Sequence, residues 1–134
     1  MILEHVAIWT NQLEKMKDFY VKYFKAVTND KYASDKEFNA HFESYFLSFD
    51  STARLEIMQM STIPQGDNAN GHESSGLTHI ALSAEKCSEV DEIAAMLKND
   101  GYKLVGEPHF TGDGYYEACV LDPDGNRVEI TVVP

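Results

Sequence analysis

Basic residues, cysteine and long apolar runs are all scarce in this chain, and each scarcity closes off a class of function. The 134 residues include 11 Lys and Arg against 22 Asp and Glu, a net charge of -11. Such a surface repels phosphate backbones and anionic membranes, so neither nucleic acid nor a membrane is an expected partner. A metal ion or a local basic patch would still let one cleft accept an anionic small molecule. Two cysteines, Cys87 and Cys119, are too few for a disulfide framework and lack the spacing of a thiolate metal site. No stretch approaches the roughly 18 apolar residues of a membrane-spanning helix. The chain opens on the strand-like ILEHVAIW rather than on a basic segment and an apolar run. A soluble protein in a reduced cytoplasmic setting is the expectation. No Gly-x-Gly-x-x-Gly element leads into a helix, which removes support for a dinucleotide fold.

What is present is a repeat. A 43% hydrophobic content over this length suits one domain with a real core, or two tightly joined halves. In the first half, Ile2 to Trp9 reads as a strand with His5 and Ala7 on one face and Val6 and Ile8 on the other. Leu13, Met16, Phe19, Tyr20, Tyr23 and Phe24 then recur at helical spacing, an apolar stripe expected to cover a sheet. HFESYFLSFD and ARLEIMQM follow as strands joined by a polar turn. Pro, Gly, Asn, Asp and Ser crowd the stretch 61–75, which reads as a linker.

The second half repeats the order. Leu77 to about Ser83 reads as a strand and is followed by a helix. Ser88 and Asp91 resemble its capping box, Val90, Ile93, Ala94 and Leu97 its apolar stripe, and Gly101 its terminator. YKLVGEP, GYYEACVLD and NRVEITVV supply three strands, the last two joined by the turn DPDG. The expected fold class is α+β, with two βαβββ modules, 1–60 and 76–134, in one domain spanning 1–134. LEHVAIW aligns on LTHIALS with His5 over His79, an offset of 74, and RLEI aligns on RVEI with Glu56 over Glu129, an offset of 73. A loop absorbs the one-residue difference.

A single histidine in a strand is ordinarily structural, and a single glutamate there is ordinarily solvated. Two of each at equivalent positions of a duplicated unit would offer two imidazole nitrogens and two carboxylate oxygens, a set suited to a divalent transition ion with positions left for water or substrate. No two of these residues are close in sequence, so any site they form depends wholly on tertiary assembly.

HVAIWTNQLEKMKDFYVKYF, LEIM, GLTHIALS and GDGYYEACVLDPDGNRVEI together resemble the vicinal oxygen chelate superfamily over nearly the whole chain apart from 61–75. That resemblance implies paired βαβββ modules forming a curved mixed sheet around a metal-binding cleft. The set His5, Glu56, His79 and Glu129 is similar to the four ligands of short bacterial glyoxalase I, and implies a nickel or cobalt ion, with zinc able to use the same atoms. It further implies a lyase or isomerase that moves a proton through a metal-stabilised enediolate on a small carbonyl or thiohemiacetal substrate. By the same resemblance Glu129 is the first choice of catalytic base and Glu56 its counterpart, and a homodimer is expected. Where short glyoxalases carry a basic residue that helps hold glutathione, this chain has Trp9. Trp9, Phe49, Tyr115 and Tyr116 are candidates to line a cleft for another substrate, although each is individually a packing residue by type. Cys119 reads as a small packed strand residue and Cys87 as lying near a helix start. Two alternatives stay open: a sequestering protein of bleomycin resistance type, and an extradiol dioxygenase or epimerase on the same scaffold.

Overall fold

A computed structural model describes residues 1–36, 40–66 and 75–134. The chain divides into two compact units, Met1–Asp67 and Asn68–Pro134. Of the stretch read as a linker, residues 67–74 lie outside the described set. Residues 61–66 begin with a turn in which the Ile63 N–H donates to the Met60 carbonyl at 3.1 Å.

Unit one comprises β1 (His5–Trp9), α1 (Leu13–Phe24), β2 (Val27–Thr28), β3 (Tyr32–Ser34), β4 (Phe42–Ser48) and β5 (Arg54–Met60). Its sheet runs β1-β5-β4-β2, and β3 also pairs with β4. β1 lies parallel to β5, the last strand of the unit, and the β2, β3 and β5 pairings with β4 are antiparallel. The second strand of the βαβββ order is therefore broken into the short β2 and β3, which the sequence reading left unassigned. Asn29 and Asp30, both turn formers, stand at the break. The Asn29 side-chain carbonyl accepts from the Phe46 N–H at 2.8 Å and so holds the interruption against β4.

Alternation along the strands divides this sheet into two faces. Tyr45, Leu47, Leu55 and Ile57 are buried on one side, as are Leu13, Met16, Phe19, Tyr20 and Tyr23 of α1, which packs on β4 and β5. Burial of each large apolar side chain stabilises the fold by about 1.5–3 kcal/mol. Phe24, the last member of the expected stripe, is only half-buried. Arg54, Glu56 and Met58 point to the opposite face.

Unit two comprises β6 (His79–Ser83), α2 (Cys87–Asn99), β7 (Leu104–Phe110), β8 (Tyr116–Leu121) and β9 (Arg127–Val132), with sheet order β6-β9-β8-β7. β6 is parallel to β9 and the other pairs are antiparallel. Val90, Ala94 and Leu97 of α2 are buried with Ala118, Val120, Val128 and Ile130 of the sheet. The helix ends as Gly101 implied. Gly101 adopts φ 87°, its N–H donates to the Lys98 carbonyl at 3.1 Å, and the Tyr102 N–H donates to the Leu97 carbonyl at 2.9 Å. Its start differs from expectation. The helix begins at Cys87 with Lys86 at the cap, so Ser88 lies inside the first turn and caps nothing. Asp91 instead accepts a hydrogen bond from the Tyr116 hydroxyl at 2.6 Å, and Glu89 reaches back to the Glu85 N–H at 3.0 Å.

The turn between β8 and β9 sets the position of Glu129. The buried Asp122 carboxylate accepts from the Asp124 N–H at 3.0 Å, the Asn126 N–H at 2.9 Å and the Asn126 side-chain amide at 2.9 Å. Gly125 supplies the left-handed residue, with φ 82°. With the turn closed, Cys119 pairs with Glu129 and Leu121 with Arg127.

Candidate metal and substrate site

In each unit, parallel pairing brings the first strand beside the last. Ala7 is registered with Glu56 and His5 with Arg54, which places His5 diagonally across from Glu56. His5 Nε2 lies 3.8 Å from Glu56 Oε2. In unit two, Ala81 is registered with Glu129 and His79 with Arg127, and His79 Nε2 lies 3.2 Å from Glu129 Oε2. Two donors each about 2.1 Å from one ion lie roughly 3.0 Å apart at an octahedral right angle and roughly 3.4 Å apart in a tetrahedron. The second pair has that spacing, whereas the first, at 3.8 Å, is wider than either geometry and would have to close by a few tenths of an ångström to share an ion. Among the described residues, no group of three or more His, Cys, Asp or Glu side chains is gathered to hold an ion. The four residues thus come together as two pairs.

The pairs differ in their surroundings. His5 Nδ1 is hydrogen-bonded to the Glu4 carboxylate, leaving Nε2 as the nitrogen turned to Glu56. Glu4 also pairs with the Arg54 guanidinium, and these two partners, His5 first, hold its carboxyl below the usual range. Arg54 in turn sits over the Phe46 ring at 4.0 Å, while His5 meets that ring edge-on at 5.5 Å and 89°. Sequence reasoning missed this clamp. An acid immediately before a candidate ligand histidine was its one legible sign.

Unit two has Thr78 where Glu4 stands and Cys119 where Phe46 stands. Gly106 of β7 lies beyond Cys119, and a Cβ there would come within 3.4 Å of the Cys119 Cβ. Ala81 and Cys119 therefore flank Glu129 across its two ladders with small side chains, and Gly106 stands beyond Cys119. Burial, the largest cause, raises the Glu129 carboxyl above its ordinary value; His79 opposes that shift and the Glu117 charge adds to it. Burial together with the Glu129 charge pushes the Cys119 thiol up to about 11. Cys119 is thus half-buried on the Glu129 face and does not belong to the packed core, because its alternate neighbours Ala118 and Val120 occupy that side. Thr131, two residues beyond Glu129 on the same face, is 6% exposed, and its hydroxyl has no hydrogen-bond partner among the described residues.

A cleft of about 590 Å³ opens on the Glu56 face of unit one, walled by Trp9, Phe42, Phe46 and Met58. Trp9 lines it as expected, and Phe49 is not part of its wall. Tyr116 points to the helix side of its own sheet, where it stacks on Phe110 with ring centroids 4.7 Å apart and bonds Asp91.

The sequence pattern of the Glyoxalase/Bleomycin resistance protein/Dioxygenase superfamily matches residues 2–130. The chain belongs to this superfamily. Among solved structures, this superfamily member is similar to a V278E mutant of glyoxalase I from Zea mays, with TM-score 0.77, 21% identity and coverage of 96% of this chain and 43% of that one. It is similar also to a glyoxalase family protein from Enterococcus faecalis, with TM-score 0.73, 22% identity and coverage of 97% and 96%. Both likenesses are of fold. A Bacillus subtilis (strain 168) relative, the uncharacterized protein YqjT, is 36% identical over 58 residues, which amount to 41% of this chain and 45% of that protein. The superfamily accounts for the tandem βαβββ order. No helix among the described residues is long and apolar enough to cross a membrane.

Proposed function

We propose that this chain is a metal-dependent lyase or isomerase of glyoxalase type, acting by proton transfer on a small substrate with adjacent oxygens. The observation that carries the reading is the matched pairing of His5 with Glu56 at 3.8 Å and His79 with Glu129 at 3.2 Å, at equivalent positions of two units. These four residues would hold a divalent ion, nickel or cobalt in preference and zinc by the same atoms. When bound, such an ion polarises neighbouring substrate oxygens and stabilises the negative charge that builds on them.

The remaining work falls to the chain. Glu129 takes the proton from the carbon beside the carbonyl and returns it to the adjacent carbon, and Glu56 is its counterpart. Two features suit Glu129 to this role: its small neighbours leave room at its carboxylate, and its partial burial favours the protonated form that catalysis passes through. The Glu4 carboxylate, held by Arg54, orients the His5 imidazole with Nε2 toward Glu56. The reading requires the two His–Glu pairs to meet, with the modules 1–60 and 76–134 acting as one domain that curves around the cleft. They would meet within one chain or across a homodimer, in a cytoplasmic protein.

Elemental analysis after loading with nickel, cobalt or zinc tests this. One ion is expected for each set of two His and two Glu, and the Glu56→Gln/Glu129→Gln double variant is expected to bind none. Unchanged loading of that variant would sink the site.

A further inference from the structure

The cleft of unit one is aromatic on most sides and has almost no charge. Trp9 and Phe42 meet at 6.1 Å with their planes at 90°, and Tyr32 meets Phe42 at 6.1 Å and 63°. A corner built this way offers a flat ring both a face to stack on and an edge to abut. Its volume of about 590 Å³ lies in the usual range for small-molecule sites.

Charge decides what the corner accepts. Among the described residues no Lys, Arg or His lines the cleft, and Glu56 is the one carboxylate that does. Arg54, which sits over the lining ring of Phe46, is already engaged with Glu4. A ligand carrying carboxylates would thus give up its hydration with no cation to receive it. In the metal-site reading, the two charges of the ion are balanced by Glu56 and Glu129, so a cationic ligand gains nothing beside it either. Polar lining comes from Ser44 and Asn29. With its carbonyl oxygen held by the Phe46 N–H, Asn29 keeps its side-chain N–H groups for a ligand oxygen.

We infer that this cleft selects a neutral aromatic substrate bearing adjacent oxygens, of the aryl hydroxyketone class, with its ring in the Trp9–Tyr32–Phe42 corner and its oxygens toward His5 and Glu56. The placement of the oxygens rests on the proposed metal site; the seat for the ring does not. A glutathione conjugate, with its two carboxylates, is the wrong ligand for this wall.

Trp9 is the only tryptophan in the chain, so one indole N–H resonance reports on the cleft without any assay of turnover. The isotope-labelled full chain is titrated with phenacyl alcohol, S-methylglutathione and benzyltrimethylammonium in turn, first metal-free and then loaded with zinc. Phenacyl alcohol is expected to shift the resonance saturably in both states and more tightly with zinc. Tyr32→Ala, at a half-exposed edge position, is expected to weaken that binding about three- to tenfold. Tighter binding of S-methylglutathione in either state or of benzyltrimethylammonium to the zinc-loaded protein, no saturable shift with phenacyl alcohol, or an unchanged titration in Tyr32→Ala would overturn the inference. A saturable shift that zinc leaves unchanged would keep the aromatic seat and remove the metal reading. Bound zinc without any shift would do the reverse.

Discussion

Cys119 stands directly across the β8–β9 ladder from Glu129, at the position where the equivalent ladder of unit one sets Phe46 across from Glu56. The exchange of an aromatic ring for a thiol is one of the differences that set the two pairs apart. Unit one builds a wall around its acid, and unit two leaves its acid small neighbours.

The first consequence concerns the thiol itself. With its pKa pushed up to about 11, Cys119 is almost wholly protonated at neutral pH. In metal-free protein, iodoacetamide is expected to alkylate it on the order of a hundredfold more slowly than an ordinary exposed thiol. Glu129→Gln, which removes the second cause of the shift, should accelerate the reaction. Mass spectrometry of the Cys119 peptide reads the rate, and parity with a small thiol in solution would contradict the assignment.

Glu129 makes a pH prediction whose sign follows from its raised pKa. The folded state holds this proton more tightly than the unfolded chain, so the associated stability is complete below the ordinary value of 4.5 and is lost as pH rises through the higher folded value. Metal-free protein should therefore lose denaturant resistance over that window relative to Glu129→Gln. Parallel midpoint curves for the two proteins would exclude it.

Glu14 predicts the opposite slope. Lys31 Nζ lies 2.6 Å from its carboxylate and the Tyr45 hydroxyl donates to it at 3.1 Å, and these partners, Lys31 first, lower its pKa. Its contribution is present above 4.5 and disappears as pH falls through the lower folded value. Glu14→Gln should lower the melting temperature slightly at neutral pH and leave it unchanged in strong acid. The effect is small because the pair is largely solvated.

Ile57 tests the support of the site strand. It is fully buried between Glu56 and Met58 in sequence and pairs with Tyr45 across the ladder. Ile57→Ala should cost about 2–5 kcal/mol in urea unfolding, whereas His5→Ala, at a partly exposed position, should cost far less. Equal losses would mean that the imidazole is a structural element.

Legibility varied from element to element. The helical stripe of α1 and the Gly101 terminator could be read directly, because a period of 3.6 and a left-handed residue are local properties. The broken β2–β3 strand escaped notice because two or three residues carry no period. The Ser88–Asp91 box was misread because Asp91 is drawn to Tyr116, a partner 25 residues away. Cys119 went to the site face because strand alternation is rigid and Ala118 and Val120 already occupied the core.

By itself the sequence determined the duplicated βαβββ order, the superfamily, and the equivalence of His5 with His79 and Glu56 with Glu129, since all of these are matters of period and register along one chain. Tertiary structure alone decided that each histidine lies beside the glutamate of its own unit, that Arg54 braces the Glu4 carboxylate beside His5, and that Trp9, Tyr32 and Phe42 form one aromatic corner. The reason is physical. Those contacts join strands that are distant in the chain, and their distances depend on parallel pairing and sheet register, which no local pattern encodes.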